Sequence, residues 1–216
     1  MQNIYGLIIS FLFIAVLMVI SSILYKKKVI GIEGSRKFIH IGVSNWWIFV
    51  VFMFNSIWVA MILPIVFIMF NTYSYKKQLI VSMERKDNHS LGTIYYPIAL
   101  FILVVLSYTV INPILAAIGV FILGYGDGLA SLFGIKYGIK KVYKHKTWVG
   151  SMTMFIISFV IAFICLLVLT SINESFIYAF IIALAATLIE LFSPKGLDNL
   201  TVPLGVTLIA YILMIV

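Results

Sequence analysis

An all-α membrane protein, a polytopic bundle of about eight transmembrane helices with both termini outside, is the fold this sequence predicts. Three observations predict it. Of 216 residues, 63% are hydrophobic and 10% charged, whereas a soluble globular domain has roughly 25% charged residues. The apolar runs match or exceed the length of a membrane span, and mean hydropathy is +1.17. The basic residues, finally, fall only in alternate connections. Eight spans use roughly 160 residues and leave about 56 for loops and tails. The chain therefore reads as a single integral-membrane domain over residues 1–216, without room for a separate soluble catalytic domain. Chemistry must come from helix ends and short loops. Cys165 is the single cysteine, which excludes an internal disulfide.

The first span covers residues 4–25 and ends at Lys26-Lys27-Lys28. No Lys or Arg precedes it and no small-residue cleavage site follows, so it reads as a retained helix rather than a signal peptide. Between Lys37 and Lys76 lie 38 residues without a formal charge. One helix of that length would measure about 57 Å against a hydrocarbon core of about 30 Å. Two spans are required, turning near Asn55-Ser56. The run from Asn88 to Gly126 divides in the same way at Asn112-Pro113, where a proline suits a helix start. Spans six and seven are expected at 148–170 and 175–192, turning at Ser171-Ile172-Asn173-Glu174. A short eighth span runs from about 202 to 216.

Loop 1–2 then holds Lys26, Lys27, Lys28, Arg36 and Lys37, and loop 3–4 holds Lys76, Lys77, Arg85 and Lys86. Loop 5–6 holds Lys136, Lys140, Lys141, Lys144 and Lys146, and loop 7–8 holds Lys195. All fifteen basic residues fall on one side, which the positive-inside rule assigns to the cytoplasm. Removing one span would scramble the alternation.

The polar features with chemical potential sit on that side. Gly124-Tyr125-Gly126-Asp127-Gly128 is expected at the inner end of span five. A carboxylate there is costly unless it is paired, metal-bound or wet, which makes Asp127 a functional candidate. Gly126 and Gly128 would let a ligand approach the backbone. Gly124 and Gly128 equally form a small-xxx-small pair suited to helix packing. Downstream, Gly134-Ile135-Lys136-Tyr137-Gly138 leads to a lysine-rich loop ending Lys146-Thr147-Trp148-Val149-Gly150-Ser151. A basic, glycine-bearing loop running into a helix N-terminus suits phosphate. Lys136, Lys146, Thr147, Gly150 and Ser151 are the candidates. Lys140 and Lys144 read more simply as topogenic charges near lipid headgroups.

A third cluster, Glu33-Gly34-Ser35-Arg36-Lys37-Phe38-Ile39-His40, enters span two. Arg36 and His40 are one turn apart, as are Glu33 and Lys37. A topogenic anchor explains Lys37, but not a histidine where the helix enters lipid. The fourth cluster puts Glu190, Asp198 and Asn199 between spans seven and eight. Three of the seven acids, Asp127, Glu190 and Asp198, thus fall at inner helix ends. They suit a hard divalent cation that also holds substrate phosphates. Loop 3–4, with Glu84, Asp87, Asn88 and His89, reads as a solvated connection. Its Asn88-His89-Ser90 sequon would face the cytoplasm. No Walker A loop, Ser/His/Asp order or zinc-ligand cluster is present.

Taken together, Arg36-Lys37-x-x-His40, Gly126-Asp127-Gly128 followed by Gly134 and Gly138, Lys146-Thr147-x-x-Gly150-Ser151, and Glu190 through Asp198-Asn199-Leu200-Thr201-Val202-Pro203 resemble the polyprenol kinase family. That family holds dolichol kinase, phytol kinase and the CTP-dependent diacylglycerol kinase. The resemblance covers nearly everything beyond span one. The dolichol branch often has Glu in its Lys-Ser/Thr-x-Glu-Gly-Ser stretch; Val149 stands there in this chain, which is nearer the phytol kinase branch.

The resemblance implies phosphoryl transfer from CTP, or a related nucleotide, to a lipid alcohol, with Mg²⁺ as the expected cofactor. Such chemistry rests on positioning and charge neutralisation. Asp127, with Asp198 or Glu190, is then expected to bind metal. Lys146, Thr147 and the amides near Gly150 would hold donor phosphates, and Arg36 and Lys37 would neutralise the transferred group. Either His40 or Asp198 would take the hydroxyl proton. The expected partners are the lipid alcohol, the nucleoside triphosphate and membrane lipids, not nucleic acid. Oligomeric state is not legible. A CTP:phosphatidate cytidylyltransferase would need the same nucleotide and metal. A small transporter or structural membrane protein would explain the spans and lysines, but not why every distinctive polar cluster lies on one face.

Overall fold

The computed structural model describes residues 1–77, 91–194 and 196–215. Glu84, Arg85, Lys86, Asp87, the Asn88-His89-Ser90 sequon and Lys195 lie outside the described residues. Among those described, seven helices are long and apolar enough to cross a membrane, so the chain is an all-α, multi-pass membrane protein. In chain order the helices are α1 (Gln2–Lys26), α2 (Ile32–Ser44), α3 (Trp46–Met53), α4 (Ile57–Ala60), α5 (Ile62–Lys77) and α6 (Gly92–Thr109). There follow α7 (Pro113–Phe121), a π-helical segment (Ile122–Asp127) and α8 (Gly128–Tyr137). A hairpin, β1 (Lys141–Tyr143) and β2 (Lys146–Thr147), then leads to α9 (Trp148–Leu166), α10 (Ile172–Phe192) and α11 (Asp198–Ile215).

The expected turns are present, each with a local cause. Phe54–Ser56 is non-helical. At Asn112 the side chain accepts from Ile114 N at 2.9 Å with Pro113 in the first helical position, an N-cap and a preset φ together. Ser171 and Glu174 form a reciprocal capping box at the start of α10, which satisfies two otherwise free amides.

Three elements differ from expectation. The second span is not one helix but α2 and α3, interrupted at Asn45. Asn45 Nδ2 donates to Ile41 O at 3.0 Å while its Oδ1 accepts from Tyr125 OH at 2.9 Å. A side-chain amide therefore competes for the backbone ladder, a recognised cause of helix breaks. The fifth span does not end near Gly126; α7, the π segment and α8 run on as one element from Pro113 to Tyr137. The eighth begins at Asp198 and spans 18 residues.

The Pro113–Tyr137 element is the bundle's axis. Of its most apolar stretch 72% is buried, against 17% for α1. It contacts α2, α9 and α11, and α9 packs most extensively on α10 through edge-to-face rings such as Phe159–Phe176 (5.4 Å). The core also takes the fully buried Trp46 and Trp47, whose N–H groups donate to Ser10 Oγ at 2.9 Å and Pro113 O at 3.0 Å. Indole burial without such acceptors would be costly.

Candidate active site

Asp127 is not at a helix end. It closes the π-helical segment, and the 10 residues of α8 follow it, placing it about 15 Å inside the element's end. π turns inside α-helices are frequent at functional sites. This one brings a carboxylate to α2: Asp127 Oδ2 accepts from Lys37 Nζ at 2.6 Å, and both side chains are 5% exposed. His40 Nε2 lies 3.1 Å from Leu123 O and 3.5 Å from Asp127 Oδ2. The carbonyl accepts only, which puts the ring proton on Nε2. Tyr96 OH donates to His40 O at 3.2 Å, and its ring lies 4.5 Å from the imidazole.

The flanking glycines are packing positions. A Cβ on Gly124 would collide with Ser44 Oγ, and one on Gly128 would lie 2.6 Å from Ile41 Cγ1. Both glycines let α2 approach the axis closely enough for Lys37 to reach Asp127. Gly126 faces the other way, against Met154 of α9. Neither Gly126 nor Gly128 borders the cleft, so the small-residue packing reading accounts for their placement.

A polar cleft of about 470 Å³ opens beside Asp127. Arg36 and Lys37 of α2 line it, with Lys146 and Thr147 of β2, Gly150 and Ser151 of α9, Glu190 of α10, and Asp198 and Asn199 of α11. Ser131 and Ser193, which the sequence did not single out, line it too. Most of the site residues expected from sequence, Asp127 of the π segment included, therefore converge from six elements. Lys136 does not; it is exposed, 5.1 Å over the Tyr137 ring. His40 does not line the polar cleft either, and borders an apolar cavity instead.

The charges are paired across the cleft. Lys146 Nζ donates to Glu190 Oε1 and lies 3.8 Å from Asp198 Oδ2, so the hairpin lysine joins α10 to α11. Burial pulls the Lys146 ammonium down, but the Glu190, Asp127 and Asp198 carboxylates outweigh it and hold its pKa above the usual lysine value. Arg36 pairs with Glu33 rather than leaving Glu33 for Lys37, and Ser131 Oγ donates to Glu33 Oε1 at 3.3 Å. Asp198 Oδ1 accepts from Asn199 N at 3.0 Å and Asn199 Nδ2 at 2.9 Å.

Thr147 caps α9, its Oγ1 accepting from Gly150 N at 3.2 Å. The Gly150 amide expected to face phosphate is thus bonded to the cap. Gly134 and Gly138 admit Thr147 and Gly150 against α8, where a Cβ on Gly138 would meet Thr147. Ser151 Oγ is buried without a hydrogen-bond partner among the described residues while lining the cleft, a placement that suits a polar ligand.

Asp127, Glu190 and Asp198 all line the cleft, an oxygen donor set of the kind that suits Mg²⁺. Among the described residues, however, no three His, Cys, Asp or Glu side chains are grouped closely enough to hold a cation unaided. The fit is to a cation that arrives with further oxygens, such as those of a polyphosphate.

Comparison with known proteins finds relatives over most of the chain. A phytol kinase of Synechocystis sp. (strain ATCC 27184 / PCC 6803 / Kazusa) is 33% identical over 192 residues, which cover 83% of this chain and 78% of that protein. Probable chloroplastic phytol kinases of Triticum aestivum and Oryza sativa subsp. japonica are each 30% identical over 145 residues, 62% of this chain. Those residues cover 48% and 46% of the two plant proteins, so the chain spans about half their length. No family model matches, and no solved structure matches. A third of the residues shared across most of both chains settles the relationship: this chain belongs to the phytol kinase branch of the polyprenol kinase family.

Proposed function

We propose that the protein is a membrane-embedded lipid-alcohol kinase that transfers the γ-phosphoryl group of CTP to the hydroxyl of a polyprenol-, phytol- or diacylglycerol-type lipid. One observation carries the reading: three cationic and three anionic side chains line a single cleft inside an apolar bundle, in a chain related to phytol kinases. A structural ion pair needs neither a cleft nor three partners on each side.

In this reading the cleft faces the cytoplasm, because Arg36, Lys37 and Lys146 of the basic connections line it. Lys146 leaves Glu190 and Asp198 for the donor phosphates as the nucleotide enters. Ser151 Oγ, with no partner among the described residues, donates to a phosphate oxygen. Arg36 sits on the wall of both the polar cleft and the apolar cavity, where it neutralises the group in transit. Lys37 stays with Asp127 and fixes that carboxylate's direction. Asp127 and Glu190 would hold Mg²⁺, which supplies charge neutralisation at the phosphates when bound. His40 has its Nε2 proton committed to Leu123 O. Asp198, beside Asn199, which lines both the cleft and the apolar cavity, therefore takes the proton from the acceptor hydroxyl.

The donor is tested with purified protein in liposomes, a long-chain alcohol, magnesium and each nucleoside triphosphate in turn. Phosphorylated lipid should form fastest with CTP. Equal or faster transfer from ATP would remove the cytidine assignment, and no phosphorylated lipid from any donor and any alcohol would remove the kinase reading.

A further inference from the structure

We infer that the apolar cavity between α1, α2–α3, α5 and α6 is the acceptor channel, and that it takes the hydrocarbon chain of the lipid alcohol; the inference rests on the kinase reading above. The cavity lies against the polar cleft, since Arg36 and Asn199 line both. From that seam its lining descends each surrounding helix together. On α2–α3 it passes from Arg36 through His40 to Trp46, and on α5 from Phe70 to Leu63. On α6 it passes from Gly92 to Leu100, and on α1 from Met18 to Ile14. Ten residues from Arg36 to Trp46 correspond to about 15 Å along a helix. The space therefore runs along the bundle from the reaction site toward its middle, as a lipid chain with its hydroxyl at the interface would lie.

The wall chemistry agrees. Asn71 Nδ2, a polar group on the wall, is already bonded to Thr93 O at 2.7 Å, and the remaining contacts are dominated by aliphatic and aromatic carbon. Trp46, with no exposed surface, closes the far end, while Phe70 is 41% exposed and marks a side entry from lipid. The free volume is about 80 Å³, against about 470 Å³ for the polar cleft. The apolar space is thus the smaller of the two, as suits a chain that packs against carbon rather than a hydrated polyphosphate. The unhydrated hydroxyl end would meet Arg36 and Asn199, where the donor phosphates end.

Two measurements on protein in liposomes test this. First, a long-chain primary alcohol with a diazirine midway along its chain is irradiated with the wild-type protein. Adducts should map to α2 and α6, around Val43 and Leu100; adducts on α9 or α10 would overturn the assignment. Second, Leu100→Trp should lower kcat/KM for a long single-chain alcohol by about tenfold or more, yet leave a five-carbon prenol within about threefold. Leu184→Trp, on an exposed face of α10, serves as the control and should change neither. Loss with both acceptors in a folded Leu100→Trp protein would contradict the channel. Failure of the kinase reading is read separately, as correct adducts without phosphorylation of any alcohol.

Discussion

Lys37 and Asp127, 90 positions apart in the chain, meet at 2.6 Å inside the bundle. The contact joins the entrance of the second span to the π turn of the fifth. Both side chains line the polar cleft, and His40 Nε2 lies 3.5 Å from the same carboxylate oxygen.

Removing one member should expose that dependence. Asp127→Asn leaves the Lys37 ammonium buried without its anion, and breaking a buried pair in this way costs about 3–5 kcal/mol. Thermal unfolding in detergent should fall accordingly, with turnover lost. Lys37→Met combined with Asp127→Leu should recover most of the thermal stability and none of the turnover. Recovery of turnover in the double variant would show the pair to be structural only.

Lys146 and Lys144 stand two residues apart and differ in environment. Lys144 is exposed in the hairpin turn at φ 50°, whereas Lys146 bonds Glu190 across the cleft. Lys146→Gln should lower kcat/KM at least about tenfold, the scale of a lost charge-assisted bond. Lys144→Gln should change it less than about threefold. Equal effects would count against a phosphate-binding role for Lys146.

The approach of α2 to the axis is testable by size exchange. Gly124→Ala places a methyl on Ser44 Oγ and should destabilise by about 1–3 kcal/mol. Adding Ser44→Gly removes the obstruction and should restore most of the loss in a thermal-shift assay. No rescue would mean that the two helices do not touch there.

The span pattern was legible because apolar run length and loop charge are local properties. The turns at Asn55-Ser56 and Asn112-Pro113 carried their own signals. Asn45 did not, since nothing in Ser44-Asn45-Trp46 announces that its amide meets Tyr125, 80 residues away. The π turn was hidden for the same reason: Gly126-Asp127-Gly128 resembles a helix end, and only the partner Lys37 makes a buried carboxylate tolerable mid-helix. Most of the residues singled out from sequence line one cleft, and they stood out as a group because polar residues are scarce in this chain. Their pairing was not legible. Glu33 goes to Arg36, and Lys146 goes to Glu190, 44 positions away.

Orientation can be read from outside intact cells. A cysteine at Asn173 should react with an impermeant thiol reagent, and one at Lys144 should not until the membrane is opened. Labelling of both from the same face would remove the cytoplasmic placement of the cleft.

The most direct test of phosphoryl transfer is the position of the label. With CTP labelled at the γ-phosphate, protein in liposomes should yield a labelled lipid phosphate and CDP from a long-chain alcohol. A lipid without label, formed together with labelled pyrophosphate, would show nucleotidyl transfer and contradict the kinase.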